Sequence, residues 1–306
     1  MNLKGMAYAY IFSVTANMDP LVEIPRNKWP ELRDLYRNKW PDDAVAYCFL
    51  DTQITYPKLT EYCNIKVYSP EGDIHNGFVA VYFNEMGETY EVMIQLLDNI
   101  EIIEKALAGS KVIDWTKAFY VSSASPVVVE CFRNLEKKLN VIGNTRGNKA
   151  YRHFIDRTSK QFDISNSPQN TYVADLKPEH LHIVDKTWTF YSDRSYKMFE
   201  SLLKNNLTYV LYSTNDDPLA WITIGWEGTL THLYCIEEHR KKGYAEYILK
   251  YAVNDQLNRG KNILGYTLEK NAQAQKLFDK LNFERIGYDT WIDVIKKCSR
   301  GLLHNE

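Results

Sequence analysis

The chain has 306 residues, 45% hydrophobic and 25% charged, with a formal net charge of −2. That length favours two domains over one core, and without a basic excess nucleic acid is not an expected partner. The five cysteines (Cys48, Cys63, Cys131, Cys235, Cys298) are widely spaced with no Cys-x-x-Cys pair, which argues against a zinc site or a disulfide framework; no apolar run reaches transmembrane length, and Met1 to Pro20 lacks a secretory or Arg-rich transit pattern, so a cytoplasmic location is expected, with the mitochondrion as the alternative.

In chain order, Asn27 to Lys39 reads as a helix between Trp-Pro breaks at Trp29-Pro30 and Trp40-Pro41. Strand-like runs follow at 44–50, 64–68, 77–83 and 90–96, the last two joined by a hairpin loop over 84–89. Helical periodicity marks 99–108, stopped by Gly109, and 126–140, where Ser125 caps and Pro126 fits the first turn. The polar stretch Asp156 to Asn170 reads as a linker. Beyond it come a strand (172–176), helices (178–190 and 194–205) and strands (207–213 and 219–226). The pattern is α/β (α+β): a mixed, mostly antiparallel sheet flanked by helices in each of two domains, 1–160 and 161–306.

The most informative segment is His239-Arg240-Lys241-Lys242-Gly243-Tyr244-Ala245. It lies between a strand-like run, Thr231 to Ile236, and a helical pattern reaching Asn258. Arg-x-x-Gly-x-Ala in that setting places unpaired backbone N–H groups at a helix N-terminus, and Gly243 lets a ligand approach without a Cβ in the way. Such a cradle suits a pyrophosphate. A bare Arg-Lys-Lys run is more often a solvated turn, but a second signal supports the loop. Another strand, 262–268, precedes a helical segment running from Asn271 to Phe283 with Ala274, Leu277, Phe278 and Leu281 at helical spacing.

On these residues the chain resembles the GNAT superfamily of acyl-CoA-dependent N-acyltransferases across roughly 170–295. It matches at Arg240, Gly243, Ala245, Asn271, Ala274, Leu277, Leu281 and Phe283, and departs at Phe278, where Tyr is frequent, and at Asn282, where Gly is usual. Lys186-Thr187-Trp188-Thr189-Phe190, Arg194-Ser195 and Phe199 look like the pattern of the glycine N-acyltransferase family. Asn27-Lys28-Trp29-Pro30, Tyr62 and Tyr68-Ser69 carry a weaker likeness into the first half. The resemblance implies two tandem GNAT-like domains. The first is degenerate, without a pyrophosphate loop, and the second binds acyl-CoA or acetyl-CoA as co-substrate, with no metal.

The resemblance also implies site residues. Lys241, Lys242, Gly243, Tyr244 and Ala245 would offer N–H groups to the pyrophosphate, with Arg240 nearby. Tyr234, Cys235 and Ile236 would end the strand that pairs with the pantetheine arm. Asn271 and Phe278 would face the cofactor, though Asn at a helix start is equally a cap. Cys235 reads more readily as a buried thiol than as a nucleophile. The family's Glu on this strand is replaced by Thr229, which is a poor base. Glu227, two residues earlier, and His232 are the candidates that remain. In a regular strand His232 faces away from Thr229, unless a bulge intervenes. The expected function is acyl transfer from coenzyme A to a small amine, glycine or another amino acid. The alternatives are a non-catalytic acyl-CoA-binding module, favoured by Thr229 and Phe278, and a protein N-acetyltransferase. No membrane partner is expected, and the oligomeric state stays open.

Overall fold

Residues 18–82, 90–97, 99–145, 149–192 and 195–296 are described by the computed structural model. The loop expected over 84–89 lies outside them, as does Arg194 at the start of one expected helix. The first half runs β1 (Leu21–Glu23), α1 (Trp29–Leu35), α2 (Ala44–Thr55), α3 (Pro57–Tyr62), β2 (Ile65–Pro70), β3 (Phe78–Tyr82), β4 (Tyr90–Gln95), α4 (Ile100–Gly109), β5 (Phe119–Ala124), α5 (Pro126–Leu139), β6 (Val141–Thr145) and β7 (Ala150–Ile155). The second repeats the order with β8 (Thr171–Ala174), α6 (Leu181–Lys186), α7 (Ser195–Lys204), β9 (Thr208–Ser213), β10 (Pro218–Ile224), β11 (Thr229–Cys235), α8 (Tyr244–Asn258), β12 (Ile263–Leu268), α9 (Ala272–Lys280) and β13 (Glu284–Lys296). Both halves are mixed α/β, as expected. In each, consecutive antiparallel strands end on one parallel pair, β4 with β5 and β11 with β12.

Residues 44–50, expected as a strand, are helical. Ala44 to Leu50 are all buried, so α2 is apolar on every side and has no periodicity to read. One face joins the first half's core and another reaches β12, Phe154, Leu264 and Ile286 of the neighbouring sheet. Ser125 accepts from Val128 N–H and caps α5, as its sequence suggested.

The two halves exchange their last strands. β7 belongs by sequence to the first half, yet it lies between β12 and the opening part of β13. The far part of β13, from Thr290, pairs with β5 and β6 of the first half. One continuous thirteen-stranded arrangement results, and four strand pairings cross the 160/161 division. Gly228 marks how closely the halves meet. Its φ is +77°, and a Cβ there would sit 2.7 Å from the Cys48 carbonyl oxygen. Lys261 pairs with Asp51 at 2.6 Å, and Arg33 with the same carboxylate at 2.9 Å.

A fragment of residues 161–306 lacks β7 and leaves β12 and β13 without the strand between them. That fragment is expected to show no cooperative thermal transition by circular dichroism, whereas the full chain melts cooperatively.

Candidate functional site

The second parallel pair is short. β11 and β12 are in register only at Thr229 with Leu264 and Leu230 with Gly265. β11 then runs on to Cys235 beside β10 alone, so beyond Leu230 its other edge is open among the described residues. Ile236 N–H bonds the Leu219 carbonyl towards β10 at 2.9 Å. Strand alternation therefore turns the Cys235 and Leu233 N–H groups into the gap. This is an edge that an extended amide-bearing chain can pair with.

The gap opens onto a cleft of about 700 Å³ lined by Cys235, Glu237, Arg240, Lys241, Gly243, Tyr244, Ala245, Glu246, Gln273 and Leu277. Its floor is the N-terminus of α8. Lys241 and Gly243 both have left-handed backbone, φ +63° and +81°. Among the described residues nothing accepts from the N–H groups of Lys241, Lys242, Gly243, Tyr244 or Ala245, and no side chain caps the helix. Alternating left-handed residues at a helix N-terminus aim several N–H dipoles at one point, which is an anion site. Nothing lies within 4 Å of where a Gly243 Cβ would be, so the space above the loop is open. Coenzyme A, with its pyrophosphate and extended amide arm, fits this combination.

Six of the expected cofactor residues meet at this cleft: Cys235, Arg240, Lys241, Gly243, Tyr244 and Ala245. Arg240 is also committed to the loop itself, donating to the Cys235 carbonyl at 3.2 Å and lying 5.6 Å over the Tyr234 ring. The side chains of the rest point elsewhere. Tyr234 stacks on Trp221 across the sheet, on the face opposite to Cys235. Ile236 continues the β10 ladder, and the Lys242 ammonium lies 3.4 Å from His239. Asn271 caps α9, its side chain accepting from Ala274 N–H at 3.0 Å. Phe278 is 4% exposed and packs between His153 and Phe283, so its ring is core. Burial raises the Cys235 thiol pKa, which suits a structural thiol and not a nucleophile. Glu237, Glu246, Gln273 and Leu277 were missed, because each is defined only by facing the cleft.

The other face of β11 carries the proton-handling candidates. The β10–β11 register slips between Trp221 and Thr223, and His232 takes φ +55°: this is a β-bulge. It turns His232 to the same face as Thr229, Thr231 and Tyr234, where a regular strand would point it away. Thr229 and Thr231 hydroxyls are 3.3 Å apart. His232 Nε2 donates to the Val184 carbonyl at 2.8 Å, and burial lowers its pKa to about 4. The ring is neutral at pH 7 and tied to α6.

Glu227 turns out to lie in the junction between the halves. It occupies the turn before β11, beside Glu91 of β4, Asp289 of β13 and Ser122 of β5. Burial, first, and mutual repulsion push the Glu91 carboxyl well above the ordinary range, and burial does the same to Glu227.

Known proteins share this fold. Residues 211–292 match the family model "FR47-like protein". A Drosophila protein of known crystal structure superposes with TM-score 0.78 at 14% identity, covering 92% of this chain and 100% of its own. A tandem GNAT protein from the clavulanic acid biosynthesis pathway gives TM-score 0.56 at 10% identity, over 92% of this chain and 99% of its own. A putative acetyltransferase from Pyrococcus horikoshii gives 0.52 at 11%, over 90% and 89%. The chain has a tandem GNAT fold. No curated protein matches the sequence.

Two outcomes follow for this GNAT fold. Gly243→Val is expected to weaken coenzyme A binding at least ~10-fold in titration calorimetry, while the left-handed strain costs about 1–2 kcal/mol of stability. Glu91 and Glu227 are protonated more readily folded than unfolded. Their contribution is therefore complete below the unfolded carboxylate range and is lost as pH rises through their raised folded values. The thermal midpoint of Glu91→Gln should exceed wild type by more at pH 9 than at pH 5.5.

Proposed function

We propose that this protein transfers an acyl group from coenzyme A to the nitrogen of a small amine. The observation that carries this is the continuity of the uncapped α8 N-terminus with the open edge of β11. The loop holds a pyrophosphate; the strand edge then receives an extended amide chain. Four steps of strand, Cys235 back to Thr231, span about 13 Å, which brings the end of such a chain near the bulge. Backbone N–H groups facing the gap there would polarise a thioester carbonyl.

The chemistry asks little more of the chain. The amine nitrogen forms the new N–C bond, the C–S bond breaks, and one proton leaves the nitrogen. We assign Glu227 as the acceptor of that proton, since burial raises its pKa toward neutrality, the useful range for a base. The Thr229 and Thr231 hydroxyls lie along the strand between that turn and the bulge and can orient water. His232 is a positioning residue, fixing the bulge through Val184. Phe278 carries no proton, so the departing thiolate takes its proton from solvent. The Lys186 to Phe190 pattern supports a reading as a glycine N-acyltransferase-like protein, with acetyl-CoA or a longer acyl-CoA as co-substrate. The non-catalytic alternative draws support from Thr229 and Phe278 alone, and Glu227 offsets it.

Release of free thiol from acetyl-CoA and longer acyl-CoAs, with a panel of primary amines, tests the proposal. Glu227→Gln is expected to cut turnover by about 10²-fold or more, the scale of a positioned base, while Thr229→Ala stays within a few-fold of wild type. No amine-dependent thiol release under any pairing would overturn it.

A further inference from the structure

The junction between the halves holds a second constellation. Glu91 is 7% exposed, Asp289 1%, and Ser122 and Ser123 are 0% and 2%. Glu227 Oε1, Asp289 Oδ1, Ser122 Oγ and Ser123 Oγ are all buried without a hydrogen-bond partner among the described residues. Ser122 lies against both Glu91 and Glu227, and Ser123 lies beside Tyr266, whose hydroxyl donates to Asp289 at 2.6 Å. A buried polar atom left unpaired is costly, so several converging on one spot call for an occupant.

The charge says which. Of the three acids, Asp289 faces a guanidinium: Arg152 Nε is 3.7 Å away and itself has no hydrogen-bond partner among the described residues. Among the described residues no group of acids, histidines or cysteines is arranged to hold a metal ion. An organic ammonium, which donates in three directions, suits these oxygens. The place also fits: Thr229 pairs with Leu264, and Tyr266, the Asp289 partner, follows on the same face of β12 just past the point where β11 and β12 part.

Resting on the acyltransferase reading above, we propose that Glu91, Glu227 and Asp289, with Ser122 and Ser123, form the acceptor site, and that it takes a cationic amine bearing no carboxylate. The first half, which lacks a cofactor loop, then supplies Glu91, Ser122 and Ser123 to the acceptor. An ammonium group donates to the unpaired carboxylate and hydroxyl oxygens and supplies the absent positive charge. An α-amino acid would bring a fourth carboxylate into a dry, already acidic site, at a large desolvation cost. Glycine, the acceptor implied by the likeness in the sequence, is thus disfavoured.

The test uses the full chain saturated with coenzyme A. Putrescine, tyramine and glycine are titrated into wild type, Glu91→Gln and Ser122→Ala, with calorimetry for binding and thiol release from acetyl-CoA for turnover; circular dichroism verifies that each variant is folded. The two amines are expected to bind at least ~10-fold more tightly than glycine, and Glu91→Gln to weaken them ~10-fold with coenzyme A affinity unchanged, the scale of a charge-assisted hydrogen bond. Ser122→Ala should weaken them less. Glycine binding best, or amine affinity indifferent to Glu91→Gln and Ser122→Ala, overturns the inference even if acyl transfer is found. Amine binding that depends on Glu91 without any thiol release upholds the site and refutes the acyltransferase reading instead.

Discussion

The exchange of final strands governs this molecule. β7 fills the second sheet and the far part of β13 fills the first, so neither sheet is complete from its own half of the chain. Hydrogen bonding of each backbone thus depends on the other half. The exchange also presses α2 against β12 and the β10–β11 turn, which is why α2 is buried all round and why Gly228 has no room for a side chain.

That packing gives the two halves different work. The second keeps an open strand edge beside an uncapped helix N-terminus, both of which are incomplete hydrogen-bonding surfaces. Among the described residues nothing of the kind follows β4, where Asn99 caps α4 by accepting from Glu101 N–H. The first half instead contributes a wall. Its sheet brings Glu91, Tyr120 and Ser122 to one face, and the close approach of the halves buries them against Glu227 and Asp289. The buried carboxylates are affordable because their raised pKa values let them stay protonated until a cation arrives.

What the sequence disclosed follows from how local each feature is. The α8 loop was legible because a glycine with φ above zero, a strand before and a helix after are all written within a short stretch. Asn271 and Ser125 were legible as caps for the same reason. Residues 44–50 misled because a helix buried on all sides and a buried strand share one apolar pattern. Strands β5, β6, β7 and β13 were not recognised at all, and all four are paired through the exchange; their partners lie far along the chain. Glu227 was singled out for proximity to Thr229, but its neighbours Glu91 and Asp289 come from distant strands that no spacing connects. His232 turned on a bulge set by the register with β10, which only three-dimensional pairing fixes.

The central claim is that the α8 loop and the β11 edge together hold the thioester substrate. A crystal structure of the full chain with bound coenzyme A tests this most directly. The account predicts the pyrophosphate on the N–H groups of Lys241 to Ala245, with the pantetheine arm paired to β11 and its sulfur near the bulge at His232. Coenzyme A bound in the first half, or on the second half with β11 unpaired, would contradict it.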